Sequence, residues 1–324
     1  MGFAIRVFLS AAACCVAIFS SAAGADSTYP SRPVRLVVGF GPGSTADVGA
    51  RIVAPKLGEI LGTSIVVEDR PGAGSMISTE YVARQPADGY TLLLGTIAAT
   101  INSTLSPNHA VDLQKDLSPV SLVASIPNIL VVHPSLGVHT VKDLVSLAKR
   151  EPNKISYGSA GVGSSPHLSG ELFKQIAGIE MTHVPYQGSA QAVTDLIAGR
   201  VQVMFSPASS VLSFIRAGKL VALASTESSR TSAAPDLPTM EEAGVPGFQT
   251  GVWFGVLAPK GTPPETVAKL NQAINLTLKD AKVQNLLHVQ GMDTLGGSPE
   301  AFSKYIAAET GKWRKVITTA HISK

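Results

Sequence analysis

The fold is decided by the stretch Val34-Arg35-Leu36-Val37-Val38-Gly39-Phe40-Gly41-Pro42-Gly43-Ser44. Its first five residues are mostly apolar and read as a short buried strand. The glycines and Pro42 break it, and a helical pattern follows over residues 45–61, with Pro55 expected to kink or interrupt it. A second strand follows at 64–68, then the loop Arg70-Pro71-Gly72-Ala73-Gly74-Ser75, a helix at 76–84, the turn Asp88-Gly89-Tyr90 and a strand at 91–95. Strand, glycine-rich loop, helix and strand again is the rhythm of a parallel α/β sheet.

The rhythm returns further on. Strands are expected at 129–132, 155–158, 181–184 and 201–205, and helices at 141–150, 167–177 and 190–198. Between the second of these strands and its helix stands Ser159-Ala160-Gly161-Val162-Gly163-Ser164-Ser165-Pro166. A strand at 252–258 is followed almost wholly by helices, at 264–287 and 299–317. These have too few strands to form a unit of their own and should pack back on the first. The expected organisation is a discontinuous first domain, 26–126 plus 250–324, and a second domain, 127–249. The chain should cross between them near 125–128 and again near 248–252.

The N-terminus stands apart. Arg6 is the only charge before Asp26. The apolar run 7–19 is short for a membrane span, and Ala23-Gly24-Ala25 ends the segment. This is the pattern of a secretory signal peptide cleaved near Ala25, which places the protein in a bacterial periplasm. The two cysteines, Cys14 and Cys15, leave with it, so the mature chain has no disulfide and no thiolate.

Composition narrows the function. Of 324 residues, 45% are hydrophobic and 15% charged, which fits a folded protein with real cores. The net charge is only +3 and no basic block stands out, which disfavours nucleic-acid binding. No G-x-S-x-G, H-E-x-x-H or P-loop pattern occurs, and each pair of loop glycines lacks the third glycine of the dinucleotide fingerprint. The histidines show no close metal spacing, and neither a metal nor a cofactor is expected.

The loops suggest binding. Glycines let the backbone approach a ligand, and the N–H groups of a first helical turn favour an anion. Ser44, Thr45, Ser164 and Ser165 add hydroxyls, and Pro166 suits a first helical position. Two such loops on facing domains suit a ligand with two acidic groups. The same residues also serve as ordinary helix caps, Asp47 among them. Arg51 and Arg70 read as surface residues, His167 as structural, and Trp253 and Trp313 as packing.

Ordered pieces along the whole mature chain resemble one family. They run from Tyr29-Pro30-Ser31-Arg32-Pro33-Val34-Arg35 and Gly39-Phe40-Gly41-Pro42-Gly43 with Asp47, through Asp69-Arg70-Pro71-Gly72-Ala73-Gly74 and Asp88-Gly89-Tyr90-Thr91-Leu92-Leu93-Leu94-Gly95. They continue with Tyr157-Gly158-Ser159, Gly163-Ser164, His167-Leu168, Glu171-Leu172-Phe173 and Val184-Pro185-Tyr186-Gln187-Gly188. Leu237-Pro238-Thr239, Glu242-Ala243-Gly244, Trp253-Phe254-Gly255 and Ala258-Pro259 complete them. In these the chain resembles the Bug (Bordetella uptake gene), or TctC-type, periplasmic receptors of tripartite tricarboxylate transporters.

The resemblance implies an α/β, two-domain periplasmic binding protein of the Venus-flytrap, type II-like class, with two hinge-crossing strands. It implies a monomeric receptor, not an enzyme, that passes a small carboxylate to a membrane permease. A sensor-kinase ectodomain is the alternative partner, and an enzyme acting on a small acid is a more remote reading. Carried onto this chain, the ligand-binding positions are Phe40, Gly43, Ser44, Thr45, Asp47, Ser75 and Thr96, with Ser159, Gly163, Ser164, Ser165, Tyr186 and Ser206 on the second domain. The chain departs from the family where Ser44 replaces a frequent glycine, Ala46 a threonine, Gln187 a basic residue and Ser206 an aspartate. Without that aspartate an ammonium has no partner, so a dicarboxylate without an amine, aliphatic or aromatic, is expected.

Overall fold

A computed structural model describes residues 29–106, 111–186, 188–231 and 233–323. The expected signal segment and Gln187 lie outside the described residues. The first unit opens with β1 (Val34–Val38), α1 (Thr45–Leu61), β2 (Ile65–Asp69), α2 (Met76–Ala83), β3 (Thr91–Thr96) and α3 (Ile97–Leu105). β1 lies between β2 and β3, parallel to both. Val34, Leu36, Val37 and Val38 are buried, as a strand covered on both faces requires.

The centre of the molecule is β4 (Leu117–Val132), a single strand of 16 residues. From Leu117 to Pro127 it pairs antiparallel with β9 (Gly251–Pro259), which also pairs antiparallel with β3. From Asn128 to Val132 it pairs antiparallel with β7 (Val203–Pro207), and over Ile129 to Val132 with β8 (Val221–Ser225). β7 lies beside β5 (Ser156–Ser159), which lies beside β6 (Thr182–Pro185), all parallel. One strand therefore serves two sheet halves and changes partners between Pro127 and Asn128. Two lobes result, each with three parallel strands and helices on its faces.

The second lobe carries α4 (Val141–Arg150), α5 (Ser165–Ala177), α6 (Ser189–Ile197) and α7 (Ala208–Arg216). The closing helices are α8 (Pro264–Leu278), α9 (Ala281–Val289) and α10 (Pro299–Thr319). α8 and α9 pack on α1, and α10 packs on α3 and β4 while also reaching α5.

Several expectations change here. α1 passes through Pro55 without ending. The expected single helix over 264–287 is two, because Asp280 caps a new start by accepting from Lys282 N and Val283 N. α3, α7, β8 and most of β4 were not anticipated. The first crossing, near 125–128, is uninterrupted strand, in line with the hinge-crossing strands that the resemblance implies.

Where the lobes meet, Thr226 ties three segments. Its N–H donates to the Asn128 carbonyl at 3.0 Å, and its own carbonyl accepts from Thr250 N at 2.9 Å. Its hydroxyl oxygen accepts from Asn128 N at 3.0 Å and stands 2.6 Å from the Thr250 carbonyl. The Asn128 side chain donates to Ser165 Oγ at 2.8 Å, and Ser169 Oγ donates to Thr250 Oγ1 at 2.8 Å. All of these residues are buried.

Candidate functional site

A cavity of about 260 Å³ lies at the carboxyl ends of the parallel strands of both lobes, where ligands bind in open α/β sheets. The first lobe contributes Phe40 and Ser44 to Ala46 from the β1–α1 connection, Thr96 to Ala98 from the start of α3, and Ile101. The second lobe contributes Gly163 to Pro166, Ser189 and Pro207, while Val252 and Phe254 come from β9. The volume is just below the ~300 Å³ lower end of ligand pockets, so the space suits a small molecule.

The two main loops are built alike. In Gly41-Pro42-Gly43-Ser44 the N–H of Ser44 returns to the Gly41 carbonyl at 3.1 Å. In Gly161-Val162-Gly163-Ser164 the N–H of Ser164 returns to the Gly161 carbonyl, also at 3.1 Å. Gly43 has φ 76° and Gly163 has φ 77°, the left-handed region that favours glycine. Each turn delivers a serine in extended conformation to the N-cap of its helix, Ser44 at φ −65°, ψ 158° and Ser164 at φ −72°, ψ 157°. The first-turn N–H groups of α1 and α5, which have no helical acceptor, thus begin on opposite sides of the cavity.

The hydroxyls divide by their protons. Ser44 Oγ accepts from Asp47 N at 3.2 Å and Thr96 Oγ1 from Ala98 N at 3.2 Å, so each caps its helix with an oxygen lone pair. Ser165 Oγ accepts from Asn128 Nδ2. A hydroxyl that accepts still has a proton to donate. Three lining hydroxyls can therefore act as ligand donors without giving up their structural bonds. Ser164 differs, because its proton goes to the Gly161 carbonyl at 2.6 Å.

None of the lining side chains carries a charge, and most are apolar. The nearby ions are committed elsewhere. Asp47 is buried and accepts from Gly43 N at 2.8 Å and from Arg51 Nε at 2.5 Å. Arg51 also pairs with Asp69 at 2.9 Å, and these carboxylates raise its pKa. Arg70 pairs with Glu68 and stacks over Tyr81 at 3.7 Å.

Of the positions expected to bind, the structure brings Phe40, Ser44, Thr45, Thr96, Gly163, Ser164 and Ser165 together on the cavity wall. Gly43, Asp47, Ser75, Ser159, Tyr186 and Ser206 are not on that wall. Gly43 gives its N–H to Asp47. Ser75 is buried at the end of the β2–α2 connection, its carbonyl accepting from Ser78 and Thr79 at 2.8 Å. Ser159 Oγ lies 2.7 Å from His183 Nε2 and accepts from Gly161 N at 3.1 Å. The Tyr186 hydroxyl donates to Asp195 at 2.9 Å. Ser206 is fully buried in β7 beside the lining Pro207. Sequence reasoning missed Ile97, Ala98, Ile101, Ser189, Pro207, Val252 and Phe254. The four-residue spacing of Ile97, Ile101 and Leu105 was the available signal for α3.

Comparison with known proteins agrees with this architecture. The sequence model of the tripartite tricarboxylate transporter family receptor, TctC, matches residues 49–322. The protein BugT of Bordetella pertussis is 37% identical over 309 residues, covering 93% of this chain and 95% of its own. The structure of R. palustris Rpa4515 with adipate is 40% identical, with a TM-score of 0.78 over 91% of this chain and 99% of the other. That of MatC from Rhodopseudomonas palustris with bound malate is 30% identical, with a TM-score of 0.73 over 89% and 100%. The chain thus belongs to the TctC family of tripartite tricarboxylate transporter receptors, a class of solute-binding proteins.

Proposed function

We propose that the protein is a periplasmic receptor that encloses a small dicarboxylate with an apolar body and delivers it to a membrane permease of the tripartite tricarboxylate type. The observation that carries this reading is the cavity wall: two opposed helix N-termini and donor hydroxyls, apolar surface between them, and no charged side chain. Each helix start favours a carboxylate through its N–H groups and dipole. Phe40, Ile97, Ile101, Val252 and Phe254 suit methylene or aromatic groups between the two acids. An ammonium would meet no carboxylate there and would lose its hydration uncompensated. The relative solved with adipate supports the same chemistry. The lobes are taken as 26–126 plus 250–324 and 127–249, with the leader cleaved near Ala25. Among the described residues no helix is long and apolar enough to cross a membrane. Capture closes the lobes only to the extent that the acid binds the closed form more tightly.

The test is a melting panel of the purified protein with adipate, malate, an aromatic dicarboxylate, lysine and a sugar. A ligand at ~100 times its dissociation constant adds ~2.7 kcal/mol, a shift of several degrees. A shift confined to dicarboxylates without an amine is expected. A shift with lysine or the sugar alone would overturn the reading.

A further inference from the structure

The two loops that face each other across the cavity share more than their turn. In each, the N–H of the second glycine is held by the side chain three residues after the N-cap serine. In the first lobe Gly43 N donates to Asp47 Oδ2 at 2.8 Å. In the second, Gly163 N donates to His167 Nδ1 at 3.1 Å. One acceptor is a carboxylate with its own counter-ion, Arg51. The other is an imidazole.

The geometry points to His167 as the positioning residue of the second loop: a neutral acceptor that holds the Gly161 to Ser164 turn in its anion-receiving form without adding negative charge beside the site. This rests on the receptor reading above and names a side chain that sets its affinity without touching the ligand.

The surroundings fit that role. His167 is buried, and its ring stacks on His183 at 3.9 Å between centroids. His183 Nε2 lies 2.7 Å from Ser159 Oγ, which in turn accepts from Gly161 N, so a second histidine braces the other end of the same turn. Tyr157 lies against both rings and donates to Glu171 at 2.5 Å, and Lys174 pairs with Glu171. Burial, with Lys174 adding to it, lowers the His167 pKa to about 4, and burial and His167 do the same for His183. Both rings are neutral near pH 7, and only an unprotonated Nδ1 can accept. A carboxylate in place of His167 would have no arginine at the position that Arg51 occupies on α1, because the corresponding residue on α5 is Glu171.

The turn also meets the opposite lobe. A Cβ on Gly163 would stand 2.7 Å from Leu105 Cδ1 of α3. Holding Gly163 in place therefore sets how closely the lobes approach as well as where the α5 N–H groups point.

The test compares the wild type with His167→Asn, His167→Asp and His167→Leu. Asparagine and aspartate can put an oxygen where Nδ1 stands, and leucine cannot. Two readouts are used at pH 7: exchange protection of the Gly163 amide in the ligand-free protein, and the calorimetric affinity for adipate. Asparagine should keep both, the affinity within about threefold. Leucine should lose amide protection and about tenfold in affinity, the effect of one hydrogen bond. Aspartate should keep the protection yet lose affinity, because it adds charge. Leucine at wild-type protection and affinity would overturn the proposal, as would an asparagine variant that loses as much as leucine. If the wild type binds no dicarboxylate, the receptor reading fails, and the Gly163 amide in the ligand-free variants still decides the role of His167.

Discussion

Thr226→Val tests how the two lobes are joined. Thr226 has 0% exposure, so no water replaces what its hydroxyl does. Valine keeps the shape and removes the oxygen that accepts from Asn128 N at 3.0 Å and lies 2.6 Å from the Thr250 carbonyl. The backbone bonds of residue 226 to Asn128 and Thr250 remain. A buried N–H left unpaired costs ~1–3 kcal/mol, and the hydroxyl's own desolvation is recovered. The net loss is about 2 kcal/mol, or roughly 3 °C in melting temperature for a chain of this size. Thr226→Ser keeps the oxygen and removes one buried methyl, a loss of about 1 kcal/mol. Differential scanning calorimetry of the three proteins decides. A valine variant that melts with the wild type, or a serine variant that falls as far as valine, refutes the claim that this hydroxyl ties the crossing segments.

Other outcomes follow from the same structure. Gly170→Ala should destabilise α5 by more than ~1 kcal/mol despite alanine's better helix propensity, because the new Cβ would stand 2.3 Å from Tyr157 Cε2; thermal melting shows the sign. Ser165→Ala should weaken adipate binding ten- to a hundredfold, the effect of one donor to a charged acid, as read by calorimetry. Glu227 lies against Gly251, and burial pushes its pKa up to about 7, with Asp293 and Glu309 adding to the rise while a Ser125 hydrogen bond and Lys312 oppose it. The unfolded carboxyl ionises near 4.5, so this group's contribution to stability is present below that pH and lost as pH rises through 7. Glu227→Gln should therefore be more stable than wild type at pH 8 and equal to it at pH 4 in urea unfolding. His167 has the opposite sign: its lowered pKa stabilises above 6.5 and that contribution is lost as pH falls towards 4. The glutamine variant should thus show a steeper net loss on acidification from pH 6.5 to 4.5.

Much of the α/β order was legible because it rests on local chemistry. The β1 run is apolar enough for a strand buried on both faces, and Thr140 with Asp143 makes a capping box that starts α4 at Val141. The 16-residue β4 was not legible over its first half. Pro119, Ser121, Ser125 and Pro127 interrupt the apolar pattern, and the strand persists because β9 pairs with it along that length. Five of the six hydroxyl residues on the cavity wall, Thr96 by resemblance alone, and both glycine loops could be read from the sequence. Asp47 and Ser159 could not be told from ligand contacts, since an oxygen that holds a turn and one that holds an anion are the same residue type at the same spacing. Val252, Phe254 and Pro207 reach the cavity only through the antiparallel pairing of distant strands.

The most direct test of the central claim is an adipate titration followed by backbone amide shifts in the purified protein. Binding between the lobes predicts the largest changes at Thr45 and Ala46 on α1 and at Ser165 and His167 on α5, saturating together with one affinity. Changes at only one helix start, or centred outside the cavity, would contradict a dicarboxylate held from both sides.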